Sequence, residues 1–281
     1  MIEIRMLYIF ENDKRAIAEV ASKLVIMKTH ILNGDALLQR FPEAIKGEKI
    51  IARECLVDGD LFGDTFEQFM LNRATFIASY PQCTEAQYLA EAKPEFEKIR
   101  ALTHENLVEL WFEEDLFCQV NLWYICSLLV DNKVCKVRWV KPNEGNEYSF
   151  ADMSDAELIL AKDNALSLSQ HDLAFFAKCW QAFYLNDYAQ FTLLLNQLPS
   201  HLCMIKNAIN AQLSRQPDEN GLGYPERKLL AIMKHHALNN NLAFAPVFKE
   251  YYAKMAVYSY GDLQVYRMYQ QLMQQYFSTY E

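Results

Sequence analysis

Short apolar segments alternate with helical segments from residue 28 to about residue 140, and this alternation constrains the fold more than any other feature. The segment NLVELWFE, residues 106–113, is apolar on both faces, which is typical of a strand that helices cover on both sides. Further strands are predicted at THILNG (29–34), EKIIARE (48–54) and KVCKVRWV (133–140). Strands that alternate with helices favour a parallel sheet with right-handed crossovers. We therefore expect a Rossmann-like α/β domain over residues 27–143.

Helices are predicted between these strands from apolar periodicity and from residues that stop a helix. A short helix in DALLQRF ends before Pro42, and a second one covers residues 65–80. Pro94 interrupts the helical pattern of residues 84–102. The run LFCQVNLWYICSLLV, residues 116–130, is long enough to be the helix that follows the third strand.

The hydrophilic stretch KPNEGNEYS, residues 141–149, predicts a domain boundary, because helical periodicity dominates after it. We expect a helical domain over residues 150–216 and a C-terminal helical module over residues 221–281. Three predicted helices in that module are compatible with a helix-turn-helix or winged-helix-like end. Residues 1–26 are predicted to be an N-terminal appendage, either a native strand and helix or an extension with little structural role.

Charge, cysteine usage and hydropathy narrow the functional classes. The net charge of −9 disfavours a polyanionic partner for the chain as a whole and leaves room only for a local basic patch. The seven cysteines include no C-x-x-C pair, so free thiols in a reducing cytoplasm are favoured over disulfides or a zinc site. No apolar stretch approaches the roughly 20 residues that span a bilayer, and we expect no membrane contact.

Polar residues follow the carboxyl ends of three predicted parallel strands. Asn33, Gly34 and Asp35 follow the first strand, Arg53 and Glu54 the second, and Glu113 and Asp115 the third. Open α/β sheets bind ligands at these ends, so we expect a ligand crevice there. Arginine and carboxylate side chains together bind an anion, hold Mg²⁺ or transfer protons, and the sequence leaves these three alternatives open.

Several of these residues also have a purely structural interpretation. His30 lies within a strand, where a histidine is more often a hydrogen-bonded core residue than a ligand or base. Asp35 and Asp115 stand where helices begin and could be N-caps. Arg53 and Glu54 could be an ordinary surface charge pair.

Arg73 lies on the apolar stripe of its predicted helix, in register with Phe66, Met70 and Ile77. An arginine that faces a sheet needs a partner, because burying an unpaired charge is costly. We expect either a structural ion pair with a carboxylate or a guanidinium that binds an anionic ligand.

The sequence contains no G-x-G-x-x-G, P-loop, G-x-S-x-G or H-E-x-x-H motif. His235 and His236 lack the spacing of two metal ligands on one helix face. The cofactor is therefore left unknown, with Mg²⁺ as the candidate that the carboxylates suggest.

Several segments in matching order resemble the bacterial domain-of-unknown-function family eighteen thirty-five. They include HILNGDALLQRF, ARECLVDGD, LNRATFI and LWFEEDLFCQVNLW, and then CWQAF, NAINAQLSRQP, NGLGYPERKLL and YGDLQVYRMYQQL. The resemblance implies an α/β N-terminal domain with a helical remainder, and it implies no activity. Its motif positions fall on His30, Asn33, Gly34, Asp35, Arg53, Glu54, Arg73, Trp111, Glu113, Asp115 and Gln119. The chain departs from the family pattern at Gly59-Asp60, where the family has Gly-Pro.

Two functions follow as hypotheses. In the first, a small anionic or phosphorylated compound binds at the strand ends through Arg53 and Arg73. The carboxyl groups of Asp35, Glu113 and Asp115 bind a metal or transfer protons. His30 is a further candidate for an acid or base. In the second, the chain is a regulatory adaptor whose residues 224–281 contact DNA or a protein. That segment has six basic and four acidic residues, an excess too small for strong nucleic-acid binding.

Overall fold

A five-stranded sheet with the order β2-β1-β3-β4-β5 organises the part of the chain that the computed structural model describes, residues 27–81, 83–239 and 241–277. The strands are β1 (Lys28–Leu32), β2 (Glu48–Ile51), β3 (Leu107–Trp111), β4 (Lys136–Val140) and β5 (Leu166–Leu168). The first four strands are parallel, as predicted, and β5 runs antiparallel to β4. Residues 1–26, predicted to be an appendage, lie outside the described residues.

Helices pack on both faces of the sheet. They are α1 (Asp35–Gln39), α2 (Phe66–Ile77), α3 (Glu85–Glu91), α4 (Lys93–Ala101), α5 (Leu116–Asp131), α6 (Asp155–Asp163), α7 (Gln170–Tyr184), α8 (Tyr188–Asn196), α9 (Lys206–Ser214), α10 (Tyr224–Leu238), α11 (Phe244–Lys254) and α12 (Asp262–Tyr276), with 3₁₀ turns at Ser200–Ile205 and Ala256–Tyr258. The predicted break at Pro94 separates α3 from α4, and Ser154 with Glu157 forms a capping box at the start of α6. Within the described residues, none of these helices combines the length and apolarity needed to cross a bilayer.

Strand β5 was not predicted from the sequence, which indicated only helices after residue 150. It is three residues long, so it offers too little alternation to be read as a strand. Its pairing with β4 places Leu168 opposite Val137 and Leu166 opposite Trp139. The sheet therefore includes residues on both sides of the hydrophilic stretch 141–149.

The sheet separates two apolar clusters. One face carries Ile31 and Leu110 and packs against α2 to α5 and α7, and its cluster continues through buried residues of α8 to α12. The other face carries Leu32 and Trp111 and packs against α1 and α6. The chain therefore leaves β1 toward one face and β3 toward the opposite face. Such a divergence opens a crevice between the carboxyl ends of neighbouring parallel strands.

The outer edge of the sheet at β2 is covered in part by α4. The backbone N–H of Ile51 donates a 2.7 Å hydrogen bond to Glu95 Oε2. Glu95 also accepts a hydrogen bond from Lys98 on the same helix. A side chain therefore satisfies a backbone donor that a further strand would otherwise use.

The turn after β2 depends on a glycine at residue 59, where φ is +82° and an added Cβ would lie 2.5 Å from the ring of Phe76. Gly145 has a similar φ of +86° but no atom within 4 Å of an added Cβ. Gly145→Ala should therefore cost about 1 kcal/mol from backbone strain alone. Gly59→Ala should cost at least about 2 kcal/mol, since a steric clash is added. Urea unfolding of both variants measures the difference, and equal destabilisation would contradict the described turn.

Candidate functional site

The amide of Asn121 ties together the carboxyl ends of β1 and β2 and the start of α5. Its Nδ2 donates to Asn33 Oδ1 at 2.9 Å and to the backbone oxygen of Glu54 at 2.7 Å. Its Oδ1 accepts the N–H of Leu56 at 3.1 Å, and Asn33 Nδ2 contacts Cys118 Sγ at 2.9 Å. Asn121 is buried, so one amide satisfies three polar groups that are removed from water.

Arg73 forms a buried ion pair with Glu54, and both side chains are 0% exposed. Its Nε and Nη2 donate to the two carboxylate oxygens of Glu54, each at 2.8 Å. The remaining N–H groups donate to the backbone oxygens of Cys55, Asp58 and Asp60 at 2.7–3.2 Å. All five donors are therefore used within the protein, which is the structural alternative of the sequence analysis.

The same carboxylate accepts a 2.5 Å hydrogen bond from the hydroxyl of Tyr88 on α3. Burial and the adjacent Glu54 raise the pKa of Tyr88, so its hydroxyl stays a donor. Burial and Glu54 also raise the pKa of the neighbouring Cys55 thiol to about 12. Glu54 is therefore surrounded by an arginine and by groups that keep their protons.

Arg53 and Glu54 are neighbours in sequence but do not pair with each other. Arg53 instead forms a bidentate ion pair with the Asp35 carboxylate, with nitrogen–oxygen distances of 2.8–3.1 Å. Its Nη1 also donates a hydrogen bond to the backbone oxygen of Glu91. The Arg53 side chain is 27% exposed and that of Asp35 is 47% exposed. Asp35 is the first residue of α1 rather than its N-cap, which is Gly34. This pair is therefore open to solvent at the strand ends.

Gly34 adopts a φ of +90°, a conformation that favours glycine, and an added Cβ there would meet no atom within 4 Å. The backbone between Asn33 and Asp35 therefore borders open space. A ligand can approach the main chain at this position without displacing a side chain.

Glu113 and Asp115 place two carboxyl groups and the Cys118 thiol at the end of β3. Burial and the charge of Asp115 raise the pKa of the half-buried Glu113 to about 7, although its hydrogen bonds act in the opposite direction. Burial also raises the pKa of Asp115 to about 6, although it accepts the N–H of Cys118 at 3.0 Å as the N-cap of α5. Burial and both carboxyl groups raise the pKa of Cys118, which stays a thiol.

Two buried oxygen atoms in this group have no hydrogen-bond partner among the described residues, Asp115 Oδ2 and Gln119 Oε1. Gln119 Nε2 donates to the backbone oxygen of Glu113 at 2.7 Å, which fixes the orientation of its amide. Unsatisfied buried oxygens are costly. A proton or a hydrogen-bond donor placed beside them would therefore stabilise this group.

Residues 141–153 lie over the end of β3. The backbone N–H of Glu114 donates to the oxygen of Glu147 at 3.0 Å, and Lys141 pairs with the Glu114 carboxylate at 2.9 Å. At the other end of this segment, Arg40 of α1 donates to the oxygen of Met153 at 2.6 Å. Of the three acids at 113–115, Glu114 is therefore the one with a cationic partner.

His30 and Trp111 lie beneath the strand ends, on the face that α1 covers. His30 is fully buried, and its ring lies 5.4 Å from that of Phe41 and 6.2 Å from that of Trp111 between centroids. Its Nε2 contacts the oxygen of Lys46 at 3.1 Å. Its Nδ1 lies 3.3 Å from Trp111 Nε1 and 3.1 Å from Glu109 Oε2, so it accepts from the indole or donates to the carboxylate.

Glu109 is fully buried within the strand that the sequence analysis interpreted as apolar on both faces. It pairs with Arg138 of β4 at 3.0 Å and completes a polar row with His30 across three strands. Burial opposes ionisation, but the adjacent His30 ring and the nearby cations Lys28 and Arg138 lower the pKa of Glu109 overall. Sequence reasoning missed this row, whose signal was a polar residue at the matching position of three adjacent strands.

The structure therefore brings Asn33, Glu54 and Arg73 into one network through Asn121, and it places Glu113, Asp115 and Gln119 together at the start of α5. Asp35 and Arg53 form a separate exposed pair. Within the described residues, no group of three or more histidine, cysteine, aspartate or glutamate side chains is arranged to hold a metal ion.

Comparison with known proteins gives no relative from which to transfer a role. No family model matches the chain, and neither the curated proteins nor the solved structures contain a match.

Removing Arg73 should leave the Glu54 carboxylate buried without its ion pair. Arg73→Met keeps much of the apolar stem but should lower the free energy of unfolding by about 3–5 kcal/mol. Lys254→Met is the control, because Lys254 is 61% exposed in its pair with Glu250 and its loss should change stability little. Urea unfolding at neutral pH compares the two, and similar small effects would contradict a buried pair.

The raised pKa values of Glu113 and Asp115 mean that folding takes up protons between about pH 4 and pH 7. The free energy of unfolding attributable to these groups therefore falls as the pH rises through that window. Glu113→Gln should match wild type at pH 4 and exceed it by about 1–3 kcal/mol at pH 8. The exposed Glu105→Gln should show no such difference. A Glu113→Gln effect that is equal at both pH values would contradict the raised pKa.

Proposed function

We propose that the crevice between the ends of β1 and β3 binds a small anionic or phosphorylated compound, and that Glu113 and Asp115 exchange protons with it. The observation that carries this proposal is the pair of crowded carboxyl groups whose pKa values lie near 7 and 6. Groups that titrate near neutral pH are effective general acids and bases. Their position coincides with the place where open α/β sheets bind ligands.

Arg53 is the residue that we propose for the anionic group of the ligand. Unlike Arg73, it is partly exposed, and its carboxylate partner Asp35 is more exposed still. The ends of β2 and β3 are separated by β1 and therefore lie about 10 Å apart. A compound of that length could contact Arg53 with its anionic group and Glu113 with the group that gains or loses a proton. Gly34 borders the space between them.

The remaining predicted residues have supporting roles in this proposal. Arg73, Glu54 and Asn33 hold the loops, and Gln119 with Trp111 holds the end of β3. A protonated Asp115 or a ligand donor would satisfy the unpartnered Asp115 Oδ2. His30 is buried beneath Trp111, so a role as acid or base would require transfer through Glu109 or movement of the covering rings.

We also propose that the sheet has a Rossmann-like topology, that the chain belongs to domain-of-unknown-function family eighteen thirty-five, and that the protein is cytoplasmic. The order β2-β1-β3-β4 supports the first, because doubly wound sheets reverse their strand order beside the first strand. The motifs of the sequence analysis support the second. All seven cysteines are free, which supports a reducing compartment.

The adaptor hypothesis is the second proposal, in which α10, α11 and α12 form a helix-turn-helix-like end that contacts DNA or a protein. The observation in its favour is the exposed aromatic surface of this segment, where Tyr252 is 58% exposed and Tyr266 is 41% exposed. Aromatic rings at that exposure are typical of partner surfaces.

Thermal melting with a panel of nucleotides and sugar phosphates tests the first proposal. A bound compound at one hundred times its Kd should stabilise wild type by about 2.7 kcal/mol. Calorimetry in buffers of different ionisation enthalpy should then show proton uptake or release on binding. Glu113→Gln should reduce that proton transfer, and Arg53→Met should weaken binding.

Glu105→Gln is the control variant, since this carboxylate is exposed and precedes β3, at the opposite end of that strand from Glu113. Asp115→Asn keeps the helix cap, because asparagine caps about as well as aspartate, so its fold should survive while proton exchange changes. The proposal fails if no compound shifts wild-type melting, or if Glu113→Gln leaves the proton transfer unchanged and Arg53→Met binds like wild type.

A further inference from the structure

A cavity of about 410 Å³ lies away from the crevice, between the loop that follows β2 and the ends of α7 and α9. Residues of the loop include Leu56, Asp60 and Phe62, and the opposite side is formed by Phe183 and Arg215. Its volume is within the range of about 300–1,000 Å³ that small-molecule sites occupy. None of these residues belongs to the crevice of the proposed function.

Arg215 supplies the positive charge of this cavity and has no carboxylate partner among the described residues. Its Nη1 donates to Gln212 Oε1 at 3.0 Å, and its Nη2 donates to the backbone oxygen of Val57 at 2.9 Å. The guanidinium also lies 5.6 Å from the centroid of the Phe183 ring. These contacts fix its orientation but leave further N–H groups and the full charge for an anion.

Asp60 supplies a negative charge to the same cavity. Its Oδ1 accepts the backbone N–H of Phe62 at 2.9 Å, which orients the carboxylate. Its backbone oxygen accepts from the buried Arg73 at 3.2 Å, so the loop is anchored. Asp60 and Arg215 line one cavity without forming a salt bridge with each other, so a ligand can lie between the two opposite charges.

Apolar and aromatic side chains form the rest of the lining. Phe62 is 57% exposed and Tyr184 is 36% exposed at the cavity, whereas Phe183 is buried beneath it. Leu61 adds a partly buried aliphatic side chain. A large ring left open to water beside a cavity gains from being covered by an apolar ligand group.

We propose that this cavity binds a free α-amino acid with a large apolar side chain. The carboxylate contacts Arg215, the ammonium group contacts Asp60, and the side chain packs against Phe62, Phe183 and Leu61. A zwitterion satisfies both fixed charges at once, whereas a simple anion would be repelled by Asp60 and a simple amine by Arg215. The site is independent of the crevice at Glu113.

Calorimetric titration of the full chain with L-phenylalanine and L-leucine tests the proposal, with 3-phenylpropanoate and phenethylamine as the matched compounds that lack one charge. Wild type should bind the amino acids at least about tenfold more tightly than either matched compound. Asp60→Asn keeps the oxygen that accepts from Phe62. It should weaken L-phenylalanine about tenfold and strengthen 3-phenylpropanoate, because the repulsion of the carboxylate is removed.

Phe62→Ala should weaken both amino acids while the melting temperature stays close to wild type, since the ring is largely exposed. Asp115→Asn should bind L-phenylalanine like wild type, which separates this site from the crevice. Failure of both amino acids to bind wild type at about 10 mM, a concentration that would detect even millimolar affinity, overturns the proposal. Equal effects of Asp60→Asn on L-phenylalanine and 3-phenylpropanoate also overturn it.

Discussion

The buried ion pair between Arg73 and Glu54 is the interaction on which the arrangement of the strand ends depends. Two opposite charges with no exposure to water are tolerated only because every donor of Arg73 has an acceptor and Glu54 also accepts from Tyr88. The pair joins α2 and α3 to the end of β2. It also holds the backbone oxygens of Asp58 and Asp60 in the loop between β2 and α2.

The loop between β2 and α2 contacts two other parts of the chain. Asn121 holds its first residues against α5, and through Asn33 it connects them to the carboxyl end of β1. Farther along the loop, Asp58 accepts hydrogen bonds from Tyr80 of the segment after α2 and from Arg267 of α12. The C-terminal helices therefore contact the same loop that borders the strand ends, although they are far from it in sequence.

The sequence was sufficient to predict the four parallel strands, the helices between them and the polar residues that follow the strands. These features could be predicted because apolar periodicity and helix-stop residues reflect local structure. Partners could not be predicted. The sequence places Arg53 beside Glu54, yet in the loop after β2 Arg53 pairs with Asp35 and Glu54 pairs with Arg73. The structural roles of Asn121 and Glu109 could not be predicted, because each is a single polar residue in an apolar run. Its hydrogen-bond or ion-pair partners are distant in sequence. Strand β5 is too short to show a period.

The hydrogen bond from Ile51 to Glu95 has a consequence for how this protein behaves among other copies of itself. Strand β2 ends the sheet on one side, and an open edge of that kind is a template on which another chain can add a strand and begin aggregation. The carboxylate of Glu95 occupies a donor that such an intruding strand would require, and it places a charge beside the apolar end of β2. On the opposite side, the short β5 covers β4 and leaves only three residues to pair. The Glu95 side chain at one edge of the sheet and the short strand β5 at the other therefore disfavour the addition of strands from other copies of the chain.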